Sequence, residues 1–292
     1  MIDALQRLVL HLKNEPSLFD PDQLRQRLEV LDLLDAHFPN ANFPDVQAFG
    51  VDRDETELYR RARGICERLE AVNSELYQTI RSEIQRGAGA DALLRWVRME
   101  NAATAVSGMG YDYLDELIGG VFEFEEPEDR EISREPEIVF YQPTPARHIF
   151  HMIGLASLTA SDVLVDLGSG LGHVPLLVSI CTPARSIGIE METAYVERAR
   201  QCAERLNLDR VAFLQQDARA ADFSTGTVFY LYTPFTGSIL RTVLDRLRRE
   251  AASRPIRICT YGPCTSVIAV EPWLEASAVP EPDQIALFSS RV

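Results

Sequence analysis

Three glycines stand at alternate positions directly after an apolar run, in the segment "DVLVDLGSGLGHVPLLV". The pattern predicts a strand, a glycine turn and a helix. In such a turn Gly168 permits the tight bend, Gly170 lets the backbone approach a ligand, and Gly172 brings the helix close to the strand. Asp166 precedes the first glycine, where its charge would oppose a pyrophosphate and suit an ammonium group. These residues predict a site for a nucleotide-like ligand that carries positive charge. The neighbouring His173 is interpreted as a packing or cap residue.

Acidic residues also end the next two predicted strands. The run "SIGIEM" contains Glu190, 22 positions after Gly168 (190 − 168), an interval that suits an acid bridging two ribose hydroxyls. The run "VAFLQQD" ends at Gln216 and Asp217, where a carboxylate can accept a hydrogen bond from an adenine amino group. Because parallel strands present their carboxyl ends at one edge of a sheet, these positions predict a single binding site.

Two classes of cofactor fit a glycine turn of this kind, the nicotinamide dinucleotides and S-adenosylmethionine. Dinucleotide-binding turns follow G-x-G-x-x-G, whereas the third glycine here comes one residue early. This spacing and the acid at position 166 favour the sulfonium cofactor. An NAD-linked oxidoreductase remains the less favoured alternative.

Residues 138 to about 275 resemble the class I S-adenosylmethionine-dependent methyltransferases. The match lies in "VDLGSGLG", which corresponds to the first motif, and in Glu190 and Asp217, which correspond to the acids after the second and third strands. The resemblance implies an α/β, Rossmann-like sheet of seven strands with the last strand antiparallel, to which "DQIALFSSRV" would contribute. It also implies S-adenosylmethionine as cofactor and places Ser169, inside the first motif, among the cofactor-binding residues.

A fainter resemblance lies upstream, in "FYQPTPARHIFHMIGL". This segment predicts a helix with Thr144 as its N-cap and Pro145 as its first residue. The histone lysine methyltransferases that lack a SET domain carry a similar tyrosine and threonine ahead of a helix that leads into "DLGSG". The resemblance implies that Tyr141 and Thr144 contact the cofactor.

The fourth predicted strand lies in "TVFYLYTPFTG", and in the family this strand ends beside the transferable methyl group. Methyltransferases that act on amide or exocyclic amine nitrogens often carry Asn/Asp-Pro-Pro-Tyr/Phe there. The corresponding residues are Tyr232, Thr233, Pro234 and Phe235, so the carboxamide or carboxylate that would align such a nitrogen is missing. Tyr230 and Tyr232 are the candidate catalytic residues, as proton relays, and Tyr232 is also a candidate cofactor contact.

The helices and strands that must position these residues lie in regions whose hydrophobic patterns differ. From residue 137 onward, short apolar runs alternate with helical segments, which is typical of a mostly parallel sheet covered by helices on both faces. Upstream, leucines recur at helical spacing after Pro21, and a longer helix is predicted from near Asp52 to Gly87 or Gly89. We predict an all-helical N-terminal domain that caps the site, an acidic linker and a cofactor-binding domain, at residues 1–122, 123–137 and 138–292.

Charge is unevenly distributed along the 292 residues, whose net charge is −15. Residues 1–137 carry 15 Lys and Arg against 29 Asp and Glu, a balance of −14, which leaves −1 for residues 138–292. An acidic surface repels phosphate backbones, so nucleic acid is not the expected partner. The expected methyl acceptor is a small molecule or a protein side chain.

Other classes of protein are disfavoured by composition. No apolar run approaches the roughly 20 residues that span a bilayer, and the amino terminus lacks the features of a signal peptide, so we expect a cytoplasmic protein without a membrane partner. The five cysteines are scattered and form no C-x-x-C motif, so neither a disulfide framework nor a metal site is expected.

Together these features predict an enzyme that transfers a methyl group from S-adenosylmethionine by in-line displacement. Because the Asn-Pro-Pro motif is missing, one alternative that is not an enzyme remains open. The same fold could bind the cofactor without turnover, or serve as a scaffold through its acidic helical region.

Overall fold

The computed structural model describes residues 2–13, 15–37, 53–100, 110–124 and 135–291. Of the predicted acidic linker, residues 125–134 lie outside the described residues. The chain forms two compact units, Met1–Thr79 and Ile80–Val292. None of the described helices is both long enough and apolar enough to cross a membrane.

The first unit is helical. Its elements are α1 (Ile2–Lys13), a short 3-10 helix (Pro16–Phe19), α2 (Leu24–His37) and the first part of α3 (Arg53–Gln85). A shared hydrophobic core is formed by Val9, Leu12, Leu18, Leu34, Leu58, Ala62, Ile65 and Leu69. The leucines at helical spacing therefore do supply part of a core, as the sequence predicts.

A buried arginine connects the start of α2 to the turn before it. The helix starts at Leu24, three residues after Pro21. The guanidinium of Arg27 is fully buried and donates to the carbonyl oxygen of Pro21 at 3.0 Å and to Oδ1 of Asn73 at 2.6 Å. These acceptors satisfy a cation that would otherwise be costly to bury.

The long helix α3 ends as its glycine predicts. Gly87 has a φ of 81°, and its N–H donates to the carbonyl oxygen of Ile84 at 2.9 Å. The N–H of Ala88 donates to the carbonyl oxygen of Glu83 at 2.8 Å. This pair of bonds is the Schellman motif, in which a glycine in the left-handed region closes a helix.

The second unit is built on a seven-stranded sheet. Three helices precede the sheet, namely α4 (Gly89–Glu100), α5 (Tyr113–Phe122) and α6 (Ala146–Ala156). The strands are β1 (Val163–Leu167), β2 (Arg185–Glu190), β3 (Val211–Gln215), β4 (Val228–Tyr232), β5 (Arg257–Tyr261), β6 (Leu274–Ala276) and β7 (Ala286–Ser290). The helices between them are α7 (His173–Cys181), α8 (Thr193–Arg205), α9 (Gly237–Ala251) and α10 (Cys264–Ile268).

The strand order is β3-β2-β1-β4-β5-β7-β6, with β1 to β5 parallel and β7 antiparallel to both of its neighbours. The predicted sheet of seven strands with the last antiparallel is confirmed. The order reverses between β1 and β4, and α/β sheets bind ligands beyond the carboxyl ends of the strands at such a reversal. The glycine turn that follows β1 lies at this point.

The helices α4 and α5 belong to the same compact unit as the sheet. α4 packs against α7, and α5 packs against α6. The division between the two units therefore falls at Thr79, inside α3, whereas the sequence predicts a boundary after residue 122. The region predicted as an N-terminal domain thus supplies two helices to the unit that holds the glycine turn.

A partly buried acid at the other end of β1 gives a prediction about stability. Asp162 Oδ1 accepts hydrogen bonds from the hydroxyl of Thr227 and from Nη2 of Arg257, both at 2.8 Å. Hydrogen bonds from Thr159 and Thr227 together with the charge of Arg257 lower the pKa of Asp162 to about 2. The shift of almost two units from the usual value near 3.8 corresponds to about 2 kcal/mol of stabilisation at pH 7.

We therefore expect Asp162→Asn to lower the free energy of unfolding by about 2 kcal/mol at pH 7. Because the pKa is depressed in the folded state, this stabilisation is present above pH 4 and is lost as the pH falls toward 2. Urea unfolding at pH 7 and pH 3 should show the difference between variant and wild type falling to about half at pH 3. Asp209→Asn, at a side chain that is 89% exposed, is the control and should leave stability unchanged. An equal loss at both pH values would contradict the electrostatic explanation.

Candidate functional site

A cavity of about 880 Å³ opens at the carboxyl edge of the central strands. Most of the residues predicted from the sequence line it, namely Tyr141, Thr144, Asp166, Gly168, Ser169, Glu190, Gln216, Asp217, Tyr230 and Tyr232. Gly170 and Gly172 are not among the described residues that line the cavity. The structure thus brings the predicted set to one place, and gives these two glycines another role.

The glycine turn adopts backbone conformations that favour glycine at all three positions. The φ angles are 86° at Gly168, 50° at Gly170 and 86° at Gly172. A Cβ on Gly172 would meet the ring of Phe213 on β3 and lie 3.2 Å from Cβ of Ala199 on α8. Gly172 therefore allows the turn to pack closely against β3 and α8.

Tyr141 covers the glycine turn. A Cβ on Gly170 would collide with the Tyr141 ring, so the backbone at this position approaches a side chain of the protein itself. The Tyr141 ring lies 4.8 Å from the ring of Tyr195, and its hydroxyl lies 3.3 Å from Nδ1 of His173. The ring therefore covers Gly170, while Gly168 and Ser169 of the same turn line the cavity.

His173 packs against aromatic residues, as the sequence interpretation proposes, and it also contacts Tyr141, which the sequence did not predict. It is the first residue of α7 and holds the hydroxyl of Tyr141, and its ring lies 4.8 Å from that of Phe124. Burial lowers the pKa of His173 to about 4, so the imidazole is neutral at physiological pH. The sequence offered no signal for this contact, because Tyr141 lies 32 positions upstream.

The carboxylates of Asp166, near the end of β1, and Glu190, at the end of β2, both line the cavity. Asp166 is 4% exposed, and its burial, together with the negative charge of Glu190, raises its pKa well above the usual value. Glu190 Oε2 accepts from the backbone N–H of Gly170 at 2.8 Å, and Oε1 accepts from the N–H groups of Met191 at 2.7 Å and Glu192 at 3.0 Å. Glu190 thus ties the end of β2 to the glycine turn, and its Oε2 retains a lone pair for a hydroxyl.

The carboxylate after β3 belongs to an ion-pair network. Asp217 and Arg219 form an ion pair at 2.6 Å, and Asp217 Oδ1 also accepts from the N–H of Arg219 at 2.7 Å. Arg219 in turn pairs with Glu135 at 3.0 Å. The hydrogen bonds from Arg219 and its charge lower the pKa of Asp217, so this acid is ionised and held in place at the cavity wall.

The two candidate catalytic tyrosines differ in their hydrogen bonding. The hydroxyl of Tyr230 is bonded to Oγ1 of Thr144 at 2.9 Å, and both residues are buried. The hydroxyl of Tyr232 is also buried, and among the described residues it has no hydrogen-bond partner. Burial raises the pKa of Tyr232 to about 12, so the phenol keeps its proton at neutral pH. Of the two, Tyr232 has the hydroxyl that no described residue engages.

A strained residue fixes the direction of Tyr232. The next residue, Thr233, has a φ of 38°, which is unusual for a β-branched side chain. Its hydroxyl donates to the carbonyl oxygen of Tyr261 at 3.2 Å and accepts from the N–H of Cys264 at 3.0 Å. The rings of Tyr232 and Tyr261 lie 4.7 Å apart. The end of β4 is thus held by the turn that follows β5.

The helix after Tyr141 begins differently from the prediction. Thr144 is not the N-cap, because its hydroxyl is bonded to Tyr230, and Pro145 occupies the N-cap position without a side-chain bond. Asp115, on α5, accepts from the N–H of Ala146 at 2.7 Å and so satisfies the first turn of α6. Burial raises the pKa of Asp115 to about 6.

The residues present fit S-adenosylmethionine. The buried hydroxyl of Ser169 is 6% exposed, lines the cavity and has no hydrogen-bond partner among the described residues. Carboxylates from three successive strand ends meet the same cavity, which suits a ligand with an ammonium, two vicinal hydroxyls and an exocyclic amine. Asp166 places an acidic side chain where a pyrophosphate would need hydrogen-bond donors.

Comparison with known proteins agrees with this chemistry. Residues 158–229 match the family model of a methyltransferase domain. The sheet order, the glycine turn and this match define a class I S-adenosylmethionine-dependent methyltransferase domain. S-adenosylmethionine is the cofactor of such a domain. No curated protein matches the sequence significantly.

Solved structures similar to the chain include three bacterial proteins. An RNA methyltransferase from Salinibacter ruber, in complex with S-adenosyl-L-homocysteine, is 26% identical with a TM-score of 0.40, over 51% of this chain and 92% of that one. The YcgJ protein from Bacillus subtilis is 23% identical with a TM-score of 0.33, over 41% of this chain and 53% of that one. A methyltransferase from Geobacter sulfurreducens is 18% identical with a TM-score of 0.39, over 53% of this chain and 81% of that one.

Proposed function

We propose that the protein is an enzyme that transfers a methyl group from S-adenosylmethionine to a small molecule or a protein side chain. The observation that carries the proposal is the convergence of Asp166, Glu190 and Asp217 on the cavity beside the glycine turn. Each of these acids lies at or near the carboxyl end of a different strand in the parallel part of the sheet. Their chemistry matches three separate polar groups of one ligand.

The residues of the chain bind and orient the cofactor in this proposal. When bound, S-adenosylmethionine supplies a methyl group that its sulfonium already activates. Asp166 holds the ammonium group, Glu190 accepts from the ribose hydroxyls, and Asp217 accepts from the adenine amino group. Holding donor and acceptor in line can supply several kcal/mol of the barrier, so a dedicated base is not required.

Tyr232 is the residue we assign to the acceptor. The hydroxyl of Tyr230 is engaged by Thr144, whereas that of Tyr232 is buried at the cavity and aimed by the strained Thr233. Because its pKa is raised to about 12, Tyr232 acts at neutral pH as a hydrogen-bonding group rather than as a base. It would hold the acceptor in register with the methyl group.

The class of acceptor follows from charge rather than from the solved structures. The net charge of −15 disfavours a polyanionic substrate, so a small molecule or a protein side chain is preferred over nucleic acid. A protein that binds the cofactor without turnover would keep the same cavity. Incorporation of a labelled methyl group into any acceptor would exclude that alternative.

Calorimetric titration of the purified chain with S-adenosylhomocysteine and, separately, with NAD tests the cofactor. We expect micromolar binding of the first and no heat from the second, because Asp166 opposes a pyrophosphate. Binding of NAD alone would contradict the proposal in favour of an oxidoreductase. Failure of both ligands to bind a folded chain would refute the cofactor site.

A further inference from the structure

The cavity continues past the part of the sheet that we assign to the cofactor. In the strand order, the three acids of the cofactor site lie at or near the ends of β3, β2 and β1, and the order then continues to β4 and β5. Residues at or after the ends of β4 and β5 also line the cavity, namely Tyr232, Thr233, Pro234 and Pro263. None of the three polar groups of the cofactor is assigned to these two strands, so this part of the cavity is left for a second molecule.

The chain before α6 completes this part of the cavity. The N–H of Val139 donates to the carbonyl oxygen of Pro234 at 3.1 Å, and the hydroxyl of Thr144 is bonded to that of Tyr230 at 2.9 Å. Both contacts hold the segment against the end of β4. Between them, the cavity is lined by Val139, Phe140, Gln142 and Pro143. We call these four residues, together with the four at the ends of β4 and β5, the acceptor end.

The described residues that line the cavity offer no cation to an anionic acceptor. Arg219 is the one guanidinium among them, and it is paired with Asp217 at 2.6 Å and with Glu135 at 3.0 Å. The other basic side chain is that of His173, which is neutral because burial lowers its pKa to about 4. A carboxylate or phosphate group on the acceptor would therefore be buried without a partner, which is costly.

The polar side chains of the acceptor end are engaged by the protein, with one exception. The hydroxyl of Thr233 bonds to the backbone of Tyr261 and Cys264, and the side chain of Gln142 is hydrogen-bonded to that of Tyr111. The hydroxyl of Tyr232 has no hydrogen-bond partner among the described residues. A buried hydroxyl without a partner is unfavourable, so a molecule that bonds to it gains affinity. The acceptor end thus suits a molecule with a single polar atom.

The rest of the acceptor end is apolar. Phe140 is 80% exposed and Val139 is 44% exposed, although both side chains are large and hydrophobic. The prolines Pro143, Pro234 and Pro263 add rigid apolar surface. A planar apolar molecule would remove this surface from water and could pack against the aromatic rings.

We propose that the methyl acceptor is an uncharged, planar small molecule that presents one phenolic hydroxyl to Tyr232. The proposal rests on the proposed function, because it places this molecule beside the bound cofactor. The phenolic oxygen attacks the methyl carbon, and the carbon–sulfur bond breaks with its electron pair going to sulfur. The phenolic proton passes to water. The products are a methyl ether and S-adenosylhomocysteine, and the positive charge of the sulfonium leaves with the proton.

The hydrogen bonding available favours a phenol over the charged or amide side chains of a protein. An ammonium or guanidinium brings several donors, and an amide brings donors and an acceptor, whereas one hydroxyl satisfies one such group. A phenolic oxygen accepts from Tyr232 and keeps a lone pair for the methyl carbon. The usual pKa of a phenol is near 10, whereas burial raises that of Tyr232 to about 12. The acceptor, and not Tyr232, therefore gives up its proton.

Binding to the full chain saturated with S-adenosylhomocysteine tests the acceptor class. The probe is 1-naphthol, and two compounds of the same shape are compared with it: 5-hydroxy-1-naphthoate, which adds a carboxylate, and 1-naphthylamine, which replaces the hydroxyl. We expect calorimetry to show that 1-naphthol binds about tenfold more tightly than either, because each of the others leaves a polar group poorly satisfied. Labelled S-adenosylmethionine should convert 1-naphthol to its methyl ether.

Tyr232→Phe tests the assigned contact. It should weaken binding of 1-naphthol about three- to tenfold, the usual effect of one neutral hydrogen bond, and leave the affinity for S-adenosylhomocysteine unchanged. The control is Tyr113→Phe, because the hydroxyl of Tyr113 donates to the carbonyl oxygen of Trp96 at 3.1 Å and Tyr113 does not line the cavity. This variant should bind both molecules as the wild type does.

Several results would overturn the proposal. Equal or tighter binding of the carboxylate or of the amine would show that the acceptor end does not select an uncharged phenol. Failure of 1-naphthol to bind or to be methylated would do the same. Weaker binding of S-adenosylhomocysteine to a folded Tyr232→Phe protein would make Tyr232 a cofactor contact. If the wild type fails to bind S-adenosylhomocysteine, the proposed function itself fails, so the two failures are distinguishable.

Discussion

Gly170→Ala is expected to weaken binding of S-adenosylhomocysteine by about a hundredfold. The added Cβ would collide with the ring of Tyr141, and alanine at a φ of 50° is itself strained by about 1–2 kcal/mol. Relief of the collision would push the Tyr141 ring away from His173 and into the cavity. Calorimetry measures the affinity, and circular dichroism with thermal unfolding shows whether the fold is retained.

The same substitution in a second variant distinguishes a collision with the Tyr141 ring from general damage to the fold. If the ring of Tyr141 causes the loss, Gly170→Ala should weaken binding less in a Tyr141→Ala chain than in the wild type, as in a double-mutant cycle. Gly154→Ala is the matched control, because a Cβ at this helical glycine meets nothing within 4 Å. Normal affinity in a folded Gly170→Ala protein would show that the turn does not shape the binding site.

The sequence predicts much of the site because a parallel sheet imposes regular positions on it. Every parallel strand delivers its carboxyl end to the same edge, so an acid after each apolar run can be assigned to one cavity without knowledge of the packing. Asp166, Glu190 and Asp217 follow this rule, and all three line the cavity. The mostly parallel sheet follows from the same regularity, since short apolar runs alternate with helical segments, whereas the number of seven strands was implied by the family resemblance and is confirmed by the structure.

The contacts that the sequence could not predict join residues far apart along the chain. His173 and Tyr141 are separated by 32 positions, Arg219 and Glu135 by 84, and Tyr230 and Thr144 by 86. None of these pairs belongs to a repeating pattern or to a turn. Each depends on how the segment before α6 crosses the edge of the sheet, which is decided by packing.

The start of α6 also depends on contacts that the sequence could not predict. A threonine before a proline is a good N-terminal signal, and the sequence therefore predicts Thr144 as the cap. In the structure the hydroxyl of Thr144 is used by Tyr230, and Asp115 from another helix satisfies Ala146. Local propensity predicted that a helix begins here, and tertiary contacts decided which residue caps it.

Asp166→Asn is expected to weaken binding of S-adenosylhomocysteine about 10- to 100-fold at neutral pH. The variant keeps the shape of the side chain and removes the charge proposed to meet the ammonium group, and a hydrogen bond to a charged group contributes about 1.5–3 kcal/mol. Asp209→Asn, at an exposed side chain outside the cavity, should bind normally. Equal affinity of Asp166→Asn and wild type would refute the assignment of Asp166.

The pH dependence of binding provides an independent check on Asp166. Burial and the charge of Glu190 raise its pKa, so the carboxyl is more readily protonated than an ordinary aspartate, and protonation removes the charge that binds the ammonium. Affinity of the wild type should therefore rise as the pH increases through this raised pKa, whereas that of Asp166→Asn should lack this rise. Binding of a cation beside Asp166 also lowers its pKa, so the complex should release protons. Calorimetry in buffers of different ionisation enthalpy would detect this release in the wild type, and the same release from Asp166→Asn would assign it to another group.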